Sequence, residues 1–147
     1  MKLLGIDYGT KRIGLATSSG IYSAPFDVIK NKGETETLTR LLEIIAKEKV
    51  DAIVLGVPLN PRGGDTKMSI LIREFGEKLQ LASNLPLHFH NEILSSWEAE
   101  EYIKNTMGIK DPKKIAAIVD KVAASMLLQE YINTVGEDGN PPAKRGV

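Results

Sequence analysis

The stretch from Asp51 to Val57 is a compact apolar run lying between two segments of helical periodicity. Such a run suits a strand buried on both faces, which requires helices on either side of its sheet. Upstream, Leu38, Leu41, Leu42, Ile45 and Ala46 recur at helical spacing between Glu34 and Lys49, with charged residues on the opposite face. Downstream, Thr66 to Leu81 repeats that pattern, so the chain reads helix, strand, helix through its middle. Between strand and second helix, Gly56, Pro58, Asn60, Pro61, Gly63 and Gly64 break the chain into a loop. A loop at the end of a buried strand commonly borders a site.

The flanking segments complete the pattern. Lys2 to Asp7 is a short apolar run ending in a carboxylate, Tyr8, Gly9 and Thr10 are turn material, and Ile13 to Thr17 is apolar again, which reads as a β-hairpin. Ile21 to Ile29 is expected to add a third strand, although Pro25 interrupts it. Pro86 to His90 forms another short strand, Ser95 starts a third helix, and a last helix runs from about Lys113 to Asn133. Ser95 with Glu98 three residues on has the spacing of a reciprocal capping box, which assigns Glu98 to the cap. The expected fold is α/β: a mixed five-stranded sheet, a three-stranded antiparallel meander plus two parallel strands, flanked by helices. Residues 1–135 are expected to form one domain, and 136–147, rich in Gly and Pro, a flexible C-terminal tail.

Composition narrows the chemistry. A length of 147 residues suits one core. No run approaches the roughly 18 apolar residues of a membrane span, and the amino end reads straight into a strand, so a cytoplasmic location without membrane contact is expected. With no cysteine, thiolate chemistry and zinc-thiolate sites are excluded, and a metal must be held by Asp, Glu, His or backbone oxygen. Nineteen basic and 19 acidic residues cancel, so contact with a polyanion would depend on local patches: Lys11 with Arg12, Arg62 with Lys67, Lys110 to Lys114, and Lys144 with Arg145.

Three carboxylates stand out. Asp7 closes the first strand and Glu92 immediately follows the last; if those strands run parallel, both acids emerge at the same sheet edge. Asp120 falls on the same side of its helix as Ala117, Ala124, Leu127 and Tyr131, where an unpaired acid is costly. Asp7, Glu92 and Asp120 could therefore hold Mg2+ or Mn2+, hard cations that prefer oxygen and can activate water for phosphodiester cleavage. Each acid also has a structural explanation. Asp7 can bond the turn at Gly9 and Thr10, Glu92 can face a helix dipole, and Asp120 is exposed if the apolar stripe is narrower. His88, His90 and Glu92 alternate along one strand face, a competing set for a transition metal, or a packed and hydrogen-bonded pair of imidazoles.

The segments Gly5-Ile6-Asp7-Tyr8-Gly9-Thr10-Lys11-Arg12-Ile13-Gly14-Leu15-Ala16, Gly56-Val57-Pro58-Leu59-Asn60, Asn91-Glu92 leading into Ser95-Ser96-Trp97-Glu98-Ala99-Glu100, and Val119-Asp120 with Ala123-Ala124 and Leu127-Leu128-Gln129 closely resemble the YqgF family. Its members, RuvX-like proteins, are also called Holliday-junction resolvases or pre-16S ribosomal RNA nucleases. The likeness runs in order from about residue 2 to residue 133. It implies a ribonuclease-H-like fold, metal-dependent nuclease activity and a role at the 5′ end of the 16S ribosomal RNA precursor. It also maps the family's acidic triad onto Asp7, Glu92 and Asp120. By the same resemblance Lys11, Arg12, Asn60 and Arg62 are candidate nucleic-acid contacts. The family usually has Asp-Glu-Arg where this chain has Asn91-Glu92-Ile93, so the central acid is kept while its acidic and basic neighbours are gone.

Other classes compete. Gly5 to Thr10 also resembles the first phosphate loop of the actin and sugar-kinase group, but those ATPases pair two such domains and this chain has room for one. A non-catalytic nucleic-acid-binding or ribosome-assembly module would keep the acids for structural reasons. A DNA-junction resolvase would normally act as a dimer; the apolar helix stripes are already needed for the core, which favours a monomer and RNA as the substrate.

Overall fold

The computed structural model describes the backbone of residues 1–58, 60, 62–92 and 96–138, and the side chains of these apart from 92 and 136–138. The elements run β1 (Leu3–Tyr8), β2 (Arg12–Ser18), β3 (Ser23–Lys30), α1 (Glu34–Glu48), β4 (Ala52–Pro58), α2 (Lys67–Ser83), β5 (Leu87–Glu92), α3 (Ser96–Asn105) and α4 (Pro112–Asp138). The sheet order is β3-β2-β1-β4-β5. β1, β2 and β3 pair antiparallel, while β4 and β5 run parallel to β1. This is the mixed sheet expected from the alternation of periods.

Pro25 sits in β3 without breaking it, because β3 is an edge strand and its register slips next to Ala16, the partner of Pro25. An edge strand can spare the missing amide, and a bulge absorbs the irregularity. Glu92, expected just past the last strand, is its final residue, opposite Pro58. The last helix continues to Asp138, so residues 136–138 of the expected tail are helical, and 139–147 lie outside the described residues. The expected capping box also falls outside them, because Ser95 is not described.

Strand alternation separates two apolar layers. On one face Leu4, Ile6, Ile13, Leu15, Ile53, Leu55 and Leu87 pack against Leu41, Ile44 and Ile45 of α1 and Ile72, Phe75 and Leu79 of α2. Each such side chain contributes roughly 1.5–3 kcal/mol on burial, so this larger layer holds the molecule together. On the other face Leu3, Ala16, Ala52 and Val54 meet Ala124, Leu128 and Tyr131 of α4. Apart from Leu3 the sheet residues here are small, and α4 comes down close. A Cβ on Gly5 would stand 2.9 Å from Cβ of Leu128, and one on Gly14 would run into the carbonyl oxygen of Asp120. Further along, Ala99 and Ile103 of α3 pack on Ile115, Val119 and Val122 of α4.

The helix boundaries follow from local chemistry. Thr66 accepts a bond from the Ser69 amide at 3.0 Å and its own amide donates to Ser69 Oγ at 2.8 Å, a reciprocal cap that starts α2 directly after the loop. Pro112 begins α4, where a missing amide costs nothing.

Candidate active site

Asp7 is the penultimate residue of β1 and belongs to the face covered by α4, two positions on from Gly5. Its register partner in β2 is Gly14, the residue against which the Asp120 backbone rests. The lack of a side chain at Gly14 thus brings Asp120 of α4 next to Asp7 of β1. Asp7 is only partly exposed, and its carboxyl is pushed up to about 6, first by burial and then by the charge of Asp120. Two acids held this close on a half-buried surface form an arrangement with a deficit of positive charge.

One cation answers it. Arg12, the first residue of β2, donates from Nε to Asp120 Oδ2 at 2.7 Å. The side chains are 55% and 23% exposed, and the pair raises the Arg12 pKa above its ordinary value, chiefly through the hydrogen bond. Spacing along the chain gave no sign of this pair, since its members lie 108 residues apart.

The third acid enters from β5. Ile6 is level with Leu55, Leu55 with Phe89, and Pro58 with Glu92. Asp7 is one residue past that first level and Glu92 three past it, on parallel strands separated by β4. The lateral separation is two strand spacings, about 10 Å. The backbone of Glu92 therefore reaches the same carboxyl edge as Asp7; its side chain lies outside the description. Among the described side chains no group of three His, Asp or Glu gathers.

The competing histidine set is otherwise engaged. His90 Nε2 lies 3.0 Å from Glu130 Oε1, and the rings of His88 and His90 pack on Tyr131 at centroid distances of 5.2 and 6.0 Å. Asp120 is partly buried as expected, and Ala124, Leu127 and Tyr131 are buried. Ala117, expected on the same stripe, is exposed, because the early turns of α4 pack on α3 through Ile115, Val119 and Val122 instead.

The expected nucleic-acid contacts border this edge. Lys11 and Arg12 end the β1–β2 turn, where both are exposed. Asn60 and Arg62 lie in the loop that leaves β4 beside Glu92; Asn60 Oδ1 accepts from the Arg62 amide at 3.0 Å, and Arg62 is exposed. Sequence reasoning gave Asn31 no part in the site. Asn31 Nδ2 donates to the Gly9 carbonyl at 2.9 Å and its amide to the Lys11 carbonyl at 2.9 Å. Its Oδ1 accepts from the Gly33 amide at 3.1 Å and Thr37 Oγ1 at 3.2 Å. Asn31 thereby ties the turn carrying Lys11 and Arg12 to the start of α1. An Asn two residues before a Gly signals a turn, but not which distant turn it holds.

Residues 1–134 match the RuvX family, described as Holliday junction resolvase. The chain belongs to the RuvX family. A relative from Maridesulfovibrio salexigens, named "putative pre-16S rRNA nuclease", is 39% identical over 134 residues, covering 90% of this chain and 98% of the relative. One of the same name from Endomicrobium trichonymphae is 34% identical over 139 residues, with 93% and 99% covered. In three dimensions the chain resembles the Fowlpox virus resolvase solved with Holliday junction DNA, with a TM-score of 0.61 at 14% identity over 92% of this chain and 99% of that one. It also resembles Thermus thermophilus RuvC, with a TM-score of 0.57 at 15% identity over 98% and 99%. These neighbours share the expected ribonuclease-H-like fold of resolvases. RuvX is a nuclease family, so the chain is a hydrolase acting on ester bonds of nucleic acid. No helix among the described residues is long and apolar enough to cross a membrane.

Proposed function

We propose that this RuvX-family chain is a divalent-metal-dependent nuclease that trims the 5′ end of the 16S ribosomal RNA precursor, with Asp7, Glu92 and Asp120 as its metal ligands. The observation that carries the reading is the convergence of Asp7 and Asp120 on the carboxyl edge of the sheet, where Glu92 ends a parallel strand. An all-oxygen donor set of carboxylates suits Mg2+ or Mn2+, and two clustered acids, one of them with a raised pKa, gain from a cation between them. Such an ion, when bound, supplies Lewis-acid stabilisation and an activated water for phosphodiester hydrolysis.

The chain's own part is positional. β1 fixes Asp7 by pairing on both sides, Gly14 sets the depth of Asp120, and β5 brings Glu92 to the same edge. Asp7 must give up its proton before it can act as a ligand. Lys11, Arg12, Asn60 and Arg62 line the approach on two loops and serve as phosphate contacts, with the Asn31 tie holding the first loop in place. The working unit is the single domain that ends with α4, acting in the cytoplasm as a monomer.

A DNA junction is the second reading, favoured by the family's description and by the junction DNA bound to a structural neighbour. The deciding experiment compares a precursor 5′ fragment, single-stranded RNA and a DNA four-way junction with Mg2+ or Mn2+, using wild type and Asp7→Asn. RNA cutting that disappears in Asp7→Asn supports the proposal. Junction cutting alone moves the substrate to DNA, and binding without cutting points to an assembly module.

A further inference from the structure

Arg12 forms the only ion pair made by either Asp7 or Asp120 among the described residues. The contact uses Nε alone, and the terminal amino groups of the guanidinium make no hydrogen bond to the described residues. Those groups form the fork that suits phosphate. The side chain is more than half exposed, so the pair is screened and weak enough to exchange. A guanidinium against a carboxylate is largely neutralised towards a phosphate. A divalent cation on Asp120 repels Arg12 and weakens its hold on that carboxylate, since the two positive charges would stand side by side.

We propose that Arg12 is a built-in countercharge that switches partners: it occupies Asp120 when no metal is bound, yields the carboxylate to an entering divalent ion, and then takes a phosphate of the nucleic acid. This rests on the assignment of Asp120 as a metal ligand. Its consequence is reciprocal coupling, in which metal tightens nucleic-acid binding through Arg12 and nucleic acid tightens metal binding by the same factor. A purely structural Arg12 would give neither.

The test uses the full chain as wild type, Arg12→Gln, Asp120→Asn and the double variant, each checked for folding by circular dichroism. Mn2+ affinity is read by electron paramagnetic resonance, and binding of a labelled single-stranded RNA by anisotropy in EDTA. Arg12→Gln is expected to bind Mn2+ roughly fivefold or more tightly than wild type. Asp120→Asn is expected to bind RNA more tightly than wild type in EDTA because it frees Arg12, and the double variant to lose that gain. Unchanged or weakened Mn2+ affinity in Arg12→Gln overturns the switch alone, as does a double variant that keeps the full RNA gain. Absence of Mn2+ binding in both wild type and Arg12→Gln overturns the ligand assignment itself.

Discussion

Asp7 is held in a place that disfavours its charge, since burial and then the neighbouring Asp120 push its carboxyl from 3.8 to about 6. Between those values the folded protein binds a proton that the unfolded chain has released. Stability from this group is therefore fully present below about pH 4 and lost as pH rises through 6. At neutral pH the penalty is on the order of 3 kcal/mol from about 1.4 kcal/mol per pH unit. Asp7→Asn removes the charge and keeps the shape, so the metal-free variant is expected to be more stable than wild type at pH 7–8 by roughly 1–3 kcal/mol, with the difference vanishing near pH 4. Urea unfolding across that range measures it, and a variant equally stable or weaker at pH 8 contradicts this account of the site. Asn31 makes a different residue-scale case. Asn31→Ala leaves the Gly9 carbonyl and Thr37 hydroxyl without their partner, at an expected cost of about 1–3 kcal/mol, and loosens the turn bearing Lys11 and Arg12. Nucleic-acid affinity should fall with no loss of Mn2+ affinity, which anisotropy and electron paramagnetic resonance separate.

At the level of elements, the site depends on how closely α4 approaches the β1–β2 hairpin. A methyl group at Gly14 would overlap the Asp120 carbonyl, which is backbone and cannot rotate away. Gly14→Ala should thus push α4 outward, costing roughly 1–3 kcal/mol of stability by overpacking. A shift near 1 Å at catalytic groups lowers activity on the order of a hundredfold, so cleavage should drop far more than the melting temperature. Near-wild-type cleavage by Gly14→Ala would show that the close approach is dispensable. This contact marks the limit of what was legible. Apolar periodicity reports which face of an element is buried, so the order of the elements and the mixed sheet could be read, and Asp7 could be placed at a strand end. It does not report how near two elements come, and Gly14 lay unremarked within a strand. Ala117 was misread for a related reason: a stripe drawn along a whole helix assumes one partner, whereas α4 packs on α3 and then on the sheet. Partners such as Arg12 with Asp120 appear only once the elements are stacked.

For the whole molecule, the candidate ligands come from β1, β5 and α4, three elements joined only by the complete fold. An ion binding them therefore binds the folded state alone, and stabilises it by about 2.7 kcal/mol at one hundred times its dissociation constant. That gain should reverse the order expected without metal: with saturating Mg2+ or Mn2+, wild type overtakes Asp7→Asn, whose amide cannot supply a charged ligand. The proton competes for the same oxygen, so the metal-induced rise in melting temperature should be full at pH 8 and fade as pH falls through about 6, where Asp7 takes up its proton. Thermal unfolding at several pH values, with metal and with EDTA, reads both effects in one series. A metal shift of the same size at pH 5 and pH 8, or one retained in Asp7→Asn, would mean that the ion is bound elsewhere and that the buried acid of β1 is not its ligand.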